Sequence, residues 1–124
     1  MLMLLVVAIG GAIGTALRYI TARFLYMLLG EGFPIGTLAV NVLGSFLVGL
    51  LITLLLERVL NNTMWRAFIQ IGFLGGYTTF SSFSWETLGL YQQGQFALAI
   101  LNIILNVSLS LVAVIVGTIL ARSI

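Results

Sequence analysis

Twenty-two consecutive residues, Ile35 to Leu56, carry no charge, and neither do the twenty-five from Phe96 to Leu120. About 20 apolar residues wound as a helix cross the hydrocarbon core of a bilayer. Inside that core every backbone N–H and C=O must find its partner within the protein, which leaves helices or a closed barrel. Barrel strands alternate apolar and polar residues; these runs do not. The sequence therefore predicts an all-α membrane protein. Only 6% of the 124 residues are charged, against roughly 25% in soluble domains, too little polar surface for a fold in water.

Four spans fit the length, at about Met3–Leu29, Ile35–Leu56, Met64–Tyr91 and Phe96–Leu120. Glu31, Gly32 and Pro34 mark the first loop. Asn61, Asn62 and Thr63 form the second, one of them a candidate cap for span three, and Gln92 to Gln95 form the third. Such short loops make consecutive helices antiparallel, so residues 1–124 read as a single membrane domain. The chain opens directly on apolar residues without a basic leader, so the first segment reads as a retained span. An even number of spans puts both termini and the second loop on one side, with Arg58, Arg66 and Arg122 there against Arg23 opposite. That favours cytoplasmic termini. The bias is small enough to permit insertion in both orientations.

The composition removes whole classes of chemistry. There is no Cys, His, Asp or Lys, hence no disulfide, no thiolate or imidazole metal site, and little means of acid–base or nucleophilic catalysis. The five Arg are dispersed, so no basic patch exists to grip nucleic acid.

The spans carry polar residues in register. Residues four apart share a helix face. In span one, Gly10, Gly14 and Arg18 fall on such a face, and the glycines form a GxxxG that lets helix backbones approach. Arg18 lies within the span, where an ionisable group marks either a tie to helix-end carbonyls or a charge that draws anions into a vestibule. In span two, Thr37, Asn41, Ser45, Gly49 and Thr53 step by four; in span four, Asn102, Asn106 and Ser110 do the same. Each stripe reads either as interhelical hydrogen bonding or as the lining of a water-filled path. Glu86, near the end of span three, reads as a proton or cation site, or as an acid hydrogen-bonded to its neighbours.

Span three contains the least lipid-like stretch, Gly72-Phe73-Leu74-Gly75-Gly76-Tyr77-Thr78-Thr79-Phe80-Ser81-Ser82-Phe83-Ser84. Gly75-Gly76 is its weak point, at about 1 kcal/mol per Gly relative to Ala. Irregular backbone at membrane depth survives only where it is buried in protein or lines a cavity. A break exposes carbonyls, which hold hard cations, and amides, which favour anions; the alternative is a kink held by Ser and Thr. Phe80 and Phe83, three apart, either pack or offer their electropositive ring edges to an anion.

These residues resemble the Fluc (CrcB) family of fluoride channels over essentially the whole chain. The likeness rests on Gly10-Gly11…Gly14…Arg18, on Gly36-Thr37-Leu38…Asn41, and most specifically on the run from Gly72 to Ser84 followed by Glu86. It implies four-helix subunits, the third helix broken mid-span, paired as a dual-topology antiparallel homodimer in the inner (plasma) membrane. It implies two fluoride pores and a central structural Na⁺ at the dimer interface. By motif position the pore would be lined by Asn41, Phe80, Phe83, Ser81, Ser84, Asn106 and Ser110, and Gly75 and Thr78 would give backbone carbonyls to Na⁺. Fluoride and lipid are the partners so implied, with no nucleic acid. A small four-span multidrug exporter has the same size but relies on an acid in span one, where this chain has Arg18. A non-transporting scaffold would need packing motifs only, and the hydroxyl-rich break argues against it.

Overall fold

A computed structural model describes residues 1–55, 57 and 62–124. The expected end of span two at Leu56, Arg58 of the charge bias and Asn61 of the second loop lie outside the described residues. Those described are helical through the expected spans except at residues 78–80, with no strand among them. Helix α1 (Leu2–Leu29) is continuous and ends at Gly30, whose positive φ of 83° closes the turn. Helix α2 (Ile35–Leu47) follows Pro34 and widens into a π-wound turn over Val48–Ile52. Span three is made of pieces: α3 (Thr63–Arg66), a π-wound stretch Ala67–Leu74, α4 (Gly75–Tyr77) and α5 (Ser81–Gln92). Helix α6 (Phe96–Ser123) is continuous, and runs past the expected Leu120. Among the described residues, only α1, Ile35–Ile52 and α6 are each long and apolar enough to cross a membrane as one helix.

Local chemistry sets the ends. Asn62 caps α3, its Oδ1 accepting the Met64 amide at 2.8 Å, as the second loop led one to expect. Gly94 ends α5 with φ 77°, while the Gln95 amide reaches back to the Leu90 carbonyl at 2.9 Å, the bond of a glycine-terminated helix.

The helices are joined backbone to backbone. A β-carbon on Gly10 would meet the Phe68 carbonyl at 2.6 Å, one on Gly72 the Val7 carbonyl at 2.8 Å, and one on Gly76 the Gly11 carbonyl at 2.7 Å. On Gly14 it would collide with the Phe73 carbonyl. The GxxxG of span one is thus a packing seam against span three. A second seam joins α2 to α6, where a β-carbon on Gly49 would strike the Val114 carbonyl and one on Gly117 the Phe46 carbonyl. Gly49 and Gly72 both lie in π-wound turns, so each wide turn coincides with a place where two backbones touch. The interior between the seams is unusually polar, with Thr37, Thr79, Asn102 and Asn106 all buried.

Candidate functional site

The chain leaves the helix at Thr78, which is extended (φ −85°, ψ 160°), and re-enters it at Ser81. Sequence reasoning placed the weak point at Gly75-Gly76; the structure keeps both glycines helical and opens the chain at Thr78, two residues after Gly76. The reason is a tertiary partner. Asn41, on α2, accepts the Thr79 amide on its Oδ1 at 2.8 Å and donates from Nδ2 to the Thr79 carbonyl at 2.9 Å. One side chain thereby holds both polar groups of one residue, satisfying backbone that no helix serves. The Thr79 hydroxyl accepts the Ser82 amide at 3.2 Å, the side-chain pattern that starts a helix, and lies 3.3 Å from the Ser81 hydroxyl.

These bonds divert amide donors from the helix ladder. In an unbroken helix the Thr79 amide would serve Gly75 and the Ser82 amide would serve Thr78; here the first goes to Asn41 and the second to the Thr79 hydroxyl. Gly75 and Thr78, the two residues expected to offer carbonyls to a cation, are among those at the break that lose their helical amide donors; Gly76 and Tyr77 lose theirs as well. Gly75 is exposed on the surface of the single chain.

A hydrogen-bonded chain of amides runs inward from the break. The second Asn41 Nδ2 hydrogen goes to Asn106 Oδ1 at 2.9 Å. Asn106 Nδ2 donates to Asn102 Oδ1 at 2.9 Å and to the Asn102 carbonyl at 3.0 Å. Asn102 Nδ2 donates to the Thr87 hydroxyl at 2.9 Å, and that hydroxyl donates to the Phe83 carbonyl at 2.7 Å. The polar stripes of spans two and four thus face each other across the break. An amide nitrogen carries two hydrogens, so Asn41 and Asn106 hold no free donor in this arrangement.

Two cavities flank this point. One, of about 400 Å³, is lined by Asn41, Phe80, Phe83, Asn106 and Ser110, together with Ser45, Thr78 and Thr79. The rings of Phe80 and Phe83 lie 5.2 Å apart at 57°; Phe83 is 7% exposed and Phe80 76%. The Ser110 hydroxyl is buried without a hydrogen-bond partner among the described residues. The other cavity, of about 490 Å³, is lined by Arg18, Arg23, Glu31, Thr37, Ser82 and Glu86 among others, and by Thr79. Thr79 is the residue common to both. Arg18 makes no hydrogen bond or ion pair among the described residues, so the tie to helix-end carbonyls is not seen and its guanidinium is left facing the cavity. Thr37 donates to Glu86 Oε1 at 2.8 Å, while Oε2 is buried with no partner among the described residues.

The structure therefore brings together Asn41, Phe80, Phe83, Asn106 and Ser110. It does not bring Ser81 and Ser84 to that cavity: both are exposed on the outer face of α5, and the Ser84 hydroxyl donates to the Phe80 carbonyl at 2.9 Å. The pore residues implied by the resemblance do not include Thr79, Ser45, Asn102 or Thr87. The step of four in spans two and four contained Ser45 and Asn102; Thr87 had no such signal.

A family model described as CrcB-like protein, Camphor Resistance (CrcB), matches residues 5–118. Relatives bearing the name Fluoride-specific ion channel FluC match nearly end to end. One from Sulfurihydrogenibium sp. (strain YO3AOP1) is 44% identical over 118 residues, covering 95% of each chain. One from Vibrio vulnificus (strain YJ016) is 49% identical over 117 residues, covering 94% of this chain and 93% of its own. One from Vibrio parahaemolyticus serotype O3:K6 is 50% identical over 111 residues, covering 90% of this chain and 87% of its own.

Proposed function

This chain belongs to the CrcB-like family of membrane proteins, a family of channels and not of enzymes, and from that premise we propose that it conducts fluoride passively out of the cell and so relieves fluoride toxicity. The single observation that carries the reading is the cavity at the break in span three, where two phenyl rings, two amides and a buried hydroxyl with no partner among the described residues converge.

The proposed path begins in the cavity lined by Arg18 and Arg23, where the Arg18 charge, unpaired among the described residues, draws anions while Glu31 and Glu86 on the same wall offset part of the positive field. Fluoride is small and strongly hydrated, so a pore must replace the hydrogen bonds of water without binding too tightly to release. The Ser110 and Ser45 hydroxyls can donate outright. Asn41 donates by exchange: an anion takes over the N–H now on Asn106 Oδ1, while the other N–H stays on the Thr79 carbonyl. The edges of Phe80 and Phe83 add a weak, electropositive wall.

We further propose that two subunits pair antiparallel, giving two pores. Support comes from the surface that one chain leaves open, where Gly75, Phe80, Ser81 and Ser84 lie exposed together on span three. Hydroxyls and a loose carbonyl are poor neighbours for lipid, and a second copy would cover them. Gly75 and Thr78 would then hold a structural Na⁺ through their carbonyls, a hard cation suited to oxygen donors, which would pin the broken spans together at the interface. The membrane is proposed to be the inner (plasma) membrane.

The deciding experiment is efflux of fluoride from liposomes reconstituted with the purified protein, read with a fluoride electrode and repeated with chloride. Rapid fluoride loss, abolished by Phe80→Ile, is expected. Absence of fluoride flux from the wild-type protein would reject the proposal.

A further inference from the structure

Asn102 and Thr87 touch neither cavity, yet both are built into the amide chain that ends on Asn41. Asn102 is fully buried, at 0% exposure. A buried amide in an apolar helix is unfavourable unless its groups are paired. This one pairs in a single direction: it donates to Thr87 and accepts from Asn106, with Thr87 in turn fixed by its bond to the Phe83 carbonyl. Direction matters because a carboxamide can flip. The Asn106 nitrogen points toward Asn102 through two bonds, one to the Asn102 main-chain carbonyl and one to its Oδ1, and the Asn106 oxygen is thereby turned toward Asn41; the Oδ1 bond is the one that depends on the Asn102 side chain. Reversing Asn102 would set its nitrogen against the Asn106 nitrogen and its oxygen against a Thr87 hydroxyl whose hydrogen is held by Phe83.

We propose that Asn102 and Thr87 are positioning residues that fix the orientation of the Asn106 amide, and through it which N–H of Asn41 is available for exchange with a passing anion. The Thr87 hydroxyl sets the sense of the whole chain: its hydrogen is anchored on the Phe83 carbonyl, so its oxygen can only accept. The inference rests on the fluoride-channel reading for its functional consequence but not for the geometry itself.

The test compares Thr87→Val, an isostere without the hydroxyl, with Thr87→Ser, which keeps it, and with Asn102→Leu. Each is reconstituted in liposomes and measured by fluoride efflux and by the side-chain amide resonances of Asn41 and Asn106 in solid-state NMR of ¹⁵N-labelled protein. Thr87→Val and Asn102→Leu are expected to displace both resonances and to lower efflux about tenfold, the scale of one buried hydrogen bond; Thr87→Ser is expected to preserve both. Amide resonances that stay in place in Thr87→Val overturn the inference whatever the flux does, because a purely structural loss would not act through the amides. Displaced resonances with unchanged efflux overturn its functional half. If the wild-type protein passes no fluoride, the channel reading fails separately and the resonances alone decide whether the relay exists.

Discussion

Ser110 carries a hydroxyl that is buried yet bonded to nothing among the described residues. Replacing it by Ala removes no hydrogen bond within the protein and takes away a polar group buried at a cost. Ser110→Ala is therefore expected to leave thermal stability in detergent unchanged or slightly raised, while slowing fluoride efflux several-fold. A clear drop in unfolding temperature would show that the hydroxyl has a structural partner. Asn41 behaves in the opposite way, because stability and transport share it. Asn41→Asp turns a donor into an acceptor facing the Thr79 carbonyl and Asn106 Oδ1, at about 1–3 kcal/mol for each group left unsatisfied. Both a lower unfolding temperature and loss of flux are expected; the wild-type unfolding temperature would refute the clamp. The regular step of four made Asn41 and Asn106 visible in the sequence as polar residues facing inward. It could not reveal that they bond each other, since their partners lie 38 and 65 positions away and the pattern along one helix says nothing of the next.

At the level of elements, the glycine seams make a sharp contrast. Gly49→Leu and Gly14→Leu place side chains where a neighbouring backbone already lies, and backbone cannot yield as a side chain can. Each is expected to destabilise by at least about 1–3 kcal/mol, read as earlier unfolding or aggregation in size-exclusion chromatography. Gly89→Ala meets nothing within 4 Å and should be neutral or stabilising by up to about 1 kcal/mol, since Ala suits a helix better. Equal damage at Gly89 and Gly49 would argue against the seams. Span limits were legible because apolar runs and loop residues are local signals; α2 and α6 begin where expected, at Ile35 and Phe96. The site of the break was legible only to within a few residues. Two glycines marked the helix as weak, but the modest cost of each is offset when a seam needs it, as at Gly76 against the Gly11 carbonyl. The opening falls where Asn41 captures a peptide group, and that is a property of the packed bundle.

For the molecule as a whole, the proposed antiparallel pairing predicts that the same loop is found on both sides of the membrane. The chain has no Cys, so a single Gln93→Cys variant can be labelled with a membrane-impermeant maleimide from either side of sealed vesicles. About half of the protein should react from outside and the rest only after permeabilisation; reaction from one side alone would reject dual topology. The proposed pairing had no signature in composition beyond the small arginine bias, and its support in a single chain is the set of polar and aromatic residues left uncovered. Thr79, shared by the two cavities, has an electrical consequence. If the proposed path joins the two cavities from opposite sides of the membrane, the conducting solution reaches to either side of one residue, and the membrane voltage falls across that short insulating partition instead of the full bilayer. A monovalent ion then exchanges most of its roughly 2.3 kcal/mol per 100 mV in one step past Thr79, so substitutions there should reshape the current–voltage curve, while those deep in either cavity should chiefly scale it.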